Sequence, residues 1–239
     1  ITENINSGYT NHSYDFFKND YSISNNSFEL ENNYIVIYRL EEIKKVLIHE
    51  LIHLFKIHTC CENKIDYEIN KLINIYGNDF SIYEAYTETL ATIIYSYYYS
   101  KLNNLDLNDI LNKQLLFSYF QSAKILYNQE IYNISGLDLE NPITINETTN
   151  AVSYYILKCA ILNNLNLFKK IFSKKRNYLL NSETKIINFD KYIVRSIMKE
   201  DFKENMNKIL LKLIKMNKLN NIGSNEKKLL KTFRMNILD

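Results

Sequence analysis

The residues of this chain that could do chemistry are concentrated in one short segment, His49-Glu50-Leu51-Ile52-His53. In a helix, residues four apart lie about 40° apart on one face and one turn apart in height. The two imidazoles could therefore bind a single metal ion together. Glu50 points to another side of the helix, where it could take a proton from a metal-bound water without being a ligand itself.

The surroundings of this segment favour the metal interpretation. The motif lies in a stretch, residues 46–55, whose other members are aliphatic or aromatic. Burying two imidazoles and a carboxylate in such a stretch costs several kcal/mol unless their polar atoms are satisfied, and a metal ion satisfies all three groups. The alternative is a pair of ordinary helix histidines with a solvated Glu50.

A second segment, Tyr83-Glu84-Ala85-Tyr86-Thr87-Glu88, follows the motif. Together, residues 46–55 and this segment resemble the zincin metallopeptidases, and within them the gluzincins, which combine H-E-x-x-H with a later E-x-x-x-[DE]. The resemblance implies one Zn²⁺ per chain, with His49, His53 and Glu84 as ligands and Glu50 as catalytic base. It also implies that Glu88 accepts a hydrogen bond from a ligand histidine and orients it.

The third ligand has an alternative. Ser81 and Glu84 also fit a capping box, in which the Glu84 side chain would reach back to the Ser81 N–H. In that case Glu88 would be the ligand. Three other acidic residues are nearer in sequence but have the pattern of a solvated loop: Glu62, Asp66 and Glu68.

The function that the resemblance implies is hydrolysis of peptide bonds in a protein or peptide substrate, by Glu50-assisted attack of a zinc-bound water. No histidine follows His58, so a tyrosine or arginine would have to stabilise the oxyanion. The candidate tyrosines are Tyr76, Tyr83, Tyr154 and Tyr155. The alternative function is a catalytically silent zincin-like module that has a structural or partner-binding role.

The elements that must position these residues are mostly helical. A β-branched and aromatic run predicts a strand at 33–39. Apolar residues at spacings of three and four predict helices at 40–58, 81–101, 109–127, 146–163, 191–217 and 225–235. The predicted fold class is mainly α, formally α+β with a short β element.

The loop signal from Ser135-Gly136 to Asn141-Pro142 predicts a boundary between two parts. The first, residues 1–135, would be zincin-like and contain both zinc-binding helices. The second, residues 136–239, would be a helical subdomain that closes the cleft.

Composition excludes several classes of protein. The 239 residues are 46% hydrophobic and 23% charged, with a net charge of +2, which is typical of a globular chain and argues against a nucleic-acid binder. Three cysteines and no apolar run of membrane-spanning length favour a soluble protein of a reducing, intracellular compartment. The chain starts at Ile1, so removal of a targeting signal is compatible with the sequence. Oligomeric state is not specified.

Overall fold

The structure is a computed structural model that describes residues 43–55, 57, 67–77, 81–147, 150–173, 180, 182–218, 230, 233–234 and 236–238. The α-helices within these ranges are α1 (Ile43–Leu54), α2 (Ile69–Leu72), α3 (Ile82–Leu102), α4 (Leu107–Asn128), α5 (Lys158–Asn163), α6 (Leu165–Ser173), α7 (Glu183–Met198) and α8 (Glu200–Lys218). A π-helix (Val152–Leu157) precedes α5, and the strands are β1 (Ile73–Tyr76) and β2 (Ile143–Asn146). The mainly α fold class predicted from the sequence is confirmed.

The two strands form a small parallel sheet, with Ile73 opposite Ile143 and Tyr76 opposite Asn146. Helices α3 and α4 lie between them in sequence, as a parallel pair requires a long crossover. Gly77 ends β1 with a φ of +95°, and a Cβ at this position would lie 2.7 Å from the carbonyl oxygen of Glu147. Both the backbone conformation and the close approach therefore require glycine.

Helices α3 and α4 begin within two residues of the predicted positions because local caps define their first turns. The Ser81 backbone is extended and its Oγ accepts the N–H of Glu84 at 3.3 Å. The Asp106 carboxylate accepts the N–H groups of Asn108 and Asp109 at 2.8 and 3.1 Å. These bonds satisfy N–H groups that a helix start leaves without partners.

Other boundaries differ from the prediction. The helix expected over 191–217 is two helices, α7 and α8, which are separated at Lys199, where the backbone is extended. The Lys199 ammonium donates to Asn164 Oδ1 at 3.0 Å, a tertiary contact that no local pattern reveals. The helix expected over 146–163 starts later because residues 143–146 pair with β1. The predicted strand at 33–39 lies outside the described residues, as does most of the predicted helix at 225–235.

The hydrophobic core includes an aromatic cluster of Tyr86, Phe168, Phe189 and Tyr192, whose ring centroids are 5.5–6.2 Å apart. Buried residues from both sides of residue 135 belong to this one core. The division into parts at 135 and 136 stays a prediction. Within the described part of the chain, every helix is too short or too polar to cross a membrane.

Candidate metal centre

The candidate site lies between α1 and α3. Lys45, near the start of α1, forms an ion pair with Glu88, and His53, near its end, lies beside Glu84. The order of contacts is reversed along the two helices, so the helices are antiparallel. Because the motif residues on each helix are four apart, each helix presents one face with two successive turns of polar side chains.

Three possible ligand atoms converge on this interface. The Nε2 atoms of His49 and His53 are 3.0 Å apart, and Glu84 Oε2 lies 3.4 Å from the first and 3.5 Å from the second. Zinc bonds to nitrogen and oxygen of about 2.0–2.1 Å in a tetrahedron give ligand atoms separated by about 3.3 Å. The three measured separations match this spacing, so the donor set fits zinc in both chemistry and size.

Three buried carboxylate oxygens of the site lack a hydrogen-bond partner among the described residues. Glu84 Oε2 and both oxygens of Glu50 are buried and have no hydrogen-bond partner among those residues. Glu50 is completely inaccessible, and its Oε1 lies 3.7 Å from His49 Nε2. A buried acceptor without a donor costs about 1–3 kcal/mol, and more when it is charged. A cation with a bound water would satisfy both glutamates.

Glu88 lies on the other side of His49, away from the converging atoms. Its Oε2 is 3.0 Å from His49 Nδ1, and since a carboxylate only accepts, Nδ1 is the donor. This leaves His49 Nε2 directed towards His53 and Glu84. The arrangement is the one in which a carboxylate fixes the tautomer of a metal-binding histidine. Glu84 is the glutamate that converges with the two Nε2 atoms, and the choice of third ligand stays a prediction.

The cap at Ser81 and the position of Glu84 in the site are compatible. The backbone N–H of Glu84 donates to the Ser81 hydroxyl, while its side chain faces the two histidines. One residue therefore helps to start α3 and also contributes to the site. Of the nearer acidic residues, Glu62 and Asp66 lie outside the described residues, and the Glu68 N–H donates to Asp190 at the start of α2.

The electrostatics of the cluster follow from burial and the paired charges. Burial lowers the pKa of His49, but the nearby Glu84 carboxylate and the hydrogen bond to Glu88 outweigh burial and raise this pKa to about 9. Burial raises the pKa of Glu50 to about 7, with the nearby His49 opposing the shift. Burial also acts to raise the pKa of Glu84, but the two histidines beside its carboxylate bring it well below its usual range.

Access to the site is one-sided. The side chains of His53 and Glu84 are 17% and 19% exposed, whereas His49 and Glu50 are 1% and 0% exposed. A ligand from solvent would therefore reach the cluster past His53 and Glu84, and it would meet Glu50 in a place from which bulk water is excluded.

The four candidate tyrosines occupy different environments. The Tyr154 ring packs edge-on against His49, with centroids 5.9 Å apart. Tyr155 is buried and packs against Phe233. Tyr83 is half-buried against the hydrophobic core, and Tyr76 is 61% exposed at the end of β1. The contact of Tyr154 with His49 brings this ring to the candidate site.

Sequence reasoning missed two lysines that belong to the cluster. Lys45 and Lys158 are each 1% exposed, and both contact Glu88 Oε1. A signal for Lys158 was present, because it is the single charged residue in the apolar run 151–162. Lysine is rarely buried without a partner, so a lysine in such a run indicates a buried carboxylate elsewhere in the chain.

Comparisons of the chain with protein-family models, with curated proteins and with solved structures find no match.

Proposed function

We propose that this chain is a zinc-dependent metallopeptidase of the gluzincin type that hydrolyses peptide bonds in a protein or peptide substrate. The observation that carries the proposal is the convergence of His49 Nε2, His53 Nε2 and Glu84 Oε2 beside the buried carboxylate of Glu50. Three ligands of this kind leave one position of a tetrahedron for water or substrate, which is the pattern of a catalytic zinc rather than a structural one.

The protein groups have separate roles in this proposal. His49, His53 and Glu84 would hold the ion, which when bound lowers the pKa of a water to about 7 and polarises a substrate carbonyl. Glu50 takes a proton from the attacking water and returns it to the leaving amine. The burial of Glu50 suits this role because no bulk water competes for its oxygens.

Tyr154 is the favoured donor to the carbonyl oxygen among the four tyrosines. Its ring contacts His49, so its hydroxyl belongs to a side chain already held beside the site. The π-helix that carries it supports a functional role, because π-helical turns are frequent at functional sites. Exposed Tyr76 and half-buried Tyr83 stay weaker candidates for this role, as does Tyr155.

The first experiment measures metal content and turnover in the same preparation. Chelator-treated protein is reloaded with zinc, and zinc per chain is measured by elemental mass spectrometry for wild type and His49→Ala. Cleavage of a peptide library is then followed for wild type and Glu50→Gln. We expect about one zinc per chain, lost in His49→Ala. Glu50→Gln should keep its zinc and lose about 10²–10⁴-fold in cleavage rate.

The possible results separate the candidate functions. A chain that takes up no zinc is not a zincin of any kind. Zinc uptake with no cleavage, or with equal cleavage by wild type and Glu50→Gln, supports the alternative of a silent structural or partner-binding module, since equal rates indicate a contaminating protease. Because Glu50→Gln is purified in the same way as wild type, it controls for such contamination.

A further inference from the structure

Glu88 is shared by three nitrogen donors, only one of which belongs to a histidine. Its Oε2 accepts from His49 Nδ1 at 3.0 Å. Its Oε1 forms an ion pair with Lys45 and accepts from the Lys158 ammonium at 3.0 Å. Glu88 is completely buried, and both lysines are 1% exposed.

This arrangement is more than a carboxylate needs in order to orient a histidine. Bringing an ion into the interior carries a penalty of several kcal/mol, and a buried ion pair is often no more stable than apolar side chains of the same volume. One lysine already balances the charge of Glu88. A second buried lysine adds another desolvation penalty, so packing alone does not account for it.

The geometry indicates what the two lysines do. The terminal torsion of a glutamate is broad, so a carboxylate with a single partner can rotate. Here Oε1 is bound from α1 by Lys45 and from the start of α5 by Lys158, which leaves Oε2 to face His49. With both ammonium groups at Oε1, Oε2 is the oxygen that accepts from His49.

We propose that Lys45 and Lys158 are positioning residues of the metal site, which clamp Glu88 so that His49 keeps its proton on Nδ1 and directs Nε2 at the ion. This inference rests on the proposed zinc site. It also assigns a role to the segment that contains the π-helix and α5, because Lys158 and Tyr154 lie four residues apart and reach Glu88 and His49 respectively. The metal affinity of the site between α1 and α3 then depends on this segment.

The test compares two buried lysines. Lys158→Met removes one of the two cations of the clamp with little change in volume. Lys124→Met is the matched control, because Lys124 is 2% exposed on α4 and lies over the rings of Phe120 and Phe233. Zinc affinity is measured by competition with a chromogenic chelator. We expect Lys158→Met to bind zinc about 10–100-fold more weakly, the usual effect of mutating groups that orient a metal-binding histidine. Lys124→Met should bind zinc as wild type does.

A second measurement reports on His49 itself. The chain has only 4 histidines, so the ring N–H signals of the zinc-loaded protein can be assigned by NMR. We expect the Nδ1–H of His49 to exchange slowly with water in wild type and faster in Lys158→Met. Lys158→Arg, which keeps a cation at this position, should recover part of both the affinity and the protection. If Lys158→Met does not fold, Lys45→Met tests the same clamp from α1.

The outcomes distinguish this inference from the proposed function. Wild type without zinc overturns both. Wild type with zinc, combined with unchanged affinity and unchanged Nδ1–H exchange in Lys158→Met, overturns the clamp and leaves the metal site intact. If Lys158→Met and Lys124→Met lower the melting temperature by the same amount and both keep the zinc affinity of wild type, Lys158 is a buried lysine with only a structural role.

Discussion

The two faces of α3 bury different kinds of side chain. Glu84 and Glu88 face α1, whereas Tyr86, two residues from each and so about 200° around the helix, packs into the aromatic cluster with Phe168 and Phe189. One face buries charge and the other buries rings. The same helix therefore contributes to a candidate site and to the core within a single turn.

The difference lies in whether the polar atoms have partners. In the aromatic cluster the Tyr192 hydroxyl reaches the carbonyl oxygens of Ile161 and Asn164, each at 3.1 Å. On the opposite face, Glu50 and Glu84 Oε2 are buried with no hydrogen-bond partner among the described residues. Native folds leave few buried polar atoms unsatisfied. Where several such atoms meet, as at Glu50 and Glu84, a bound cation would satisfy them together.

The largest effect that this comparison predicts is on the aromatic face. Phe189→Ala removes a completely buried ring that contacts Tyr86, Phe168 and Tyr192, and we expect a loss of about 3–5 kcal/mol in the free energy of unfolding. Urea denaturation measures the loss. The control Leu116→Ala, at a side chain that is 63% exposed, should change stability by less than about 0.5 kcal/mol.

The zinc affinity of folded Phe189→Ala should equal that of wild type, because the ring lies on the face of α3 away from the histidines. A large loss of zinc affinity at temperatures where the variant is folded would contradict the separation of the two faces.

On the charged face, the next largest predicted effect is a difference in zinc affinity between variants of two glutamates one turn apart. In the proposed zinc site, Glu84→Gln removes the charge of a ligand, whereas Glu88→Gln removes the charge behind His49 and replaces one acceptor oxygen with an NH2 donor. Isothermal titration with zinc should show a 10–100-fold loss for Glu88→Gln, about the usual effect of an outer partner, and a loss of more than about 100-fold for Glu84→Gln. The reverse order would make Glu88 the third ligand, the alternative that follows from a capping box at Ser81.

The sequence was most informative where structure is local. Ser81 and Asp106 cap their helices through bonds to residues two or three positions on, so α3 and α4 could be located closely. His49, Glu50 and His53 were predicted as site residues because their spacing on one helix allows metal chemistry. Glu84 and Glu88 were predicted through the resemblance of their segment, and the structure places them next to α1.

What the sequence did not reveal depends on distant contacts. The pairing of β1 with β2 joins residues 70 positions apart in register, for example Ile73 with Ile143. The break at Lys199 coincides with a bond to Asn164. Lys45 and Lys158 become part of the site only when α1 and α5 meet at Glu88. None of these contacts leaves a periodic pattern.

Glu147 tests whether an unsatisfied buried carboxylate is by itself a sign of function. It is 4% exposed, its Oε2 accepts the N–H of Val152 at 2.8 Å, and its Oε1 has no hydrogen-bond partner among the described residues. No possible metal ligands converge on it in the described part of the chain. We therefore expect Glu147→Gln to leave zinc affinity and cleavage rate unchanged and to alter only stability.

The smallest predicted effect is the pH dependence of that stability. Burial raises the pKa of Glu147 from 4.5 to about 8, so the folded state favours the protonated carboxyl. The resulting stabilisation is complete below pH 4.5 and is lost as the pH rises through 8. Glu147→Gln stays neutral, so its melting temperature should match wild type at pH 5 and exceed it at pH 9, by about 2–4 °C for each kcal/mol.

The control is Glu140→Gln, at an exposed side chain, whose melting temperature should follow that of wild type at both pH values. Parallel curves of melting temperature against pH for wild type and Glu147→Gln would mean that Glu147 stays ionised in the folded protein. A loss of zinc affinity in Glu147→Gln would show that a buried carboxylate outside the cluster also belongs to the site.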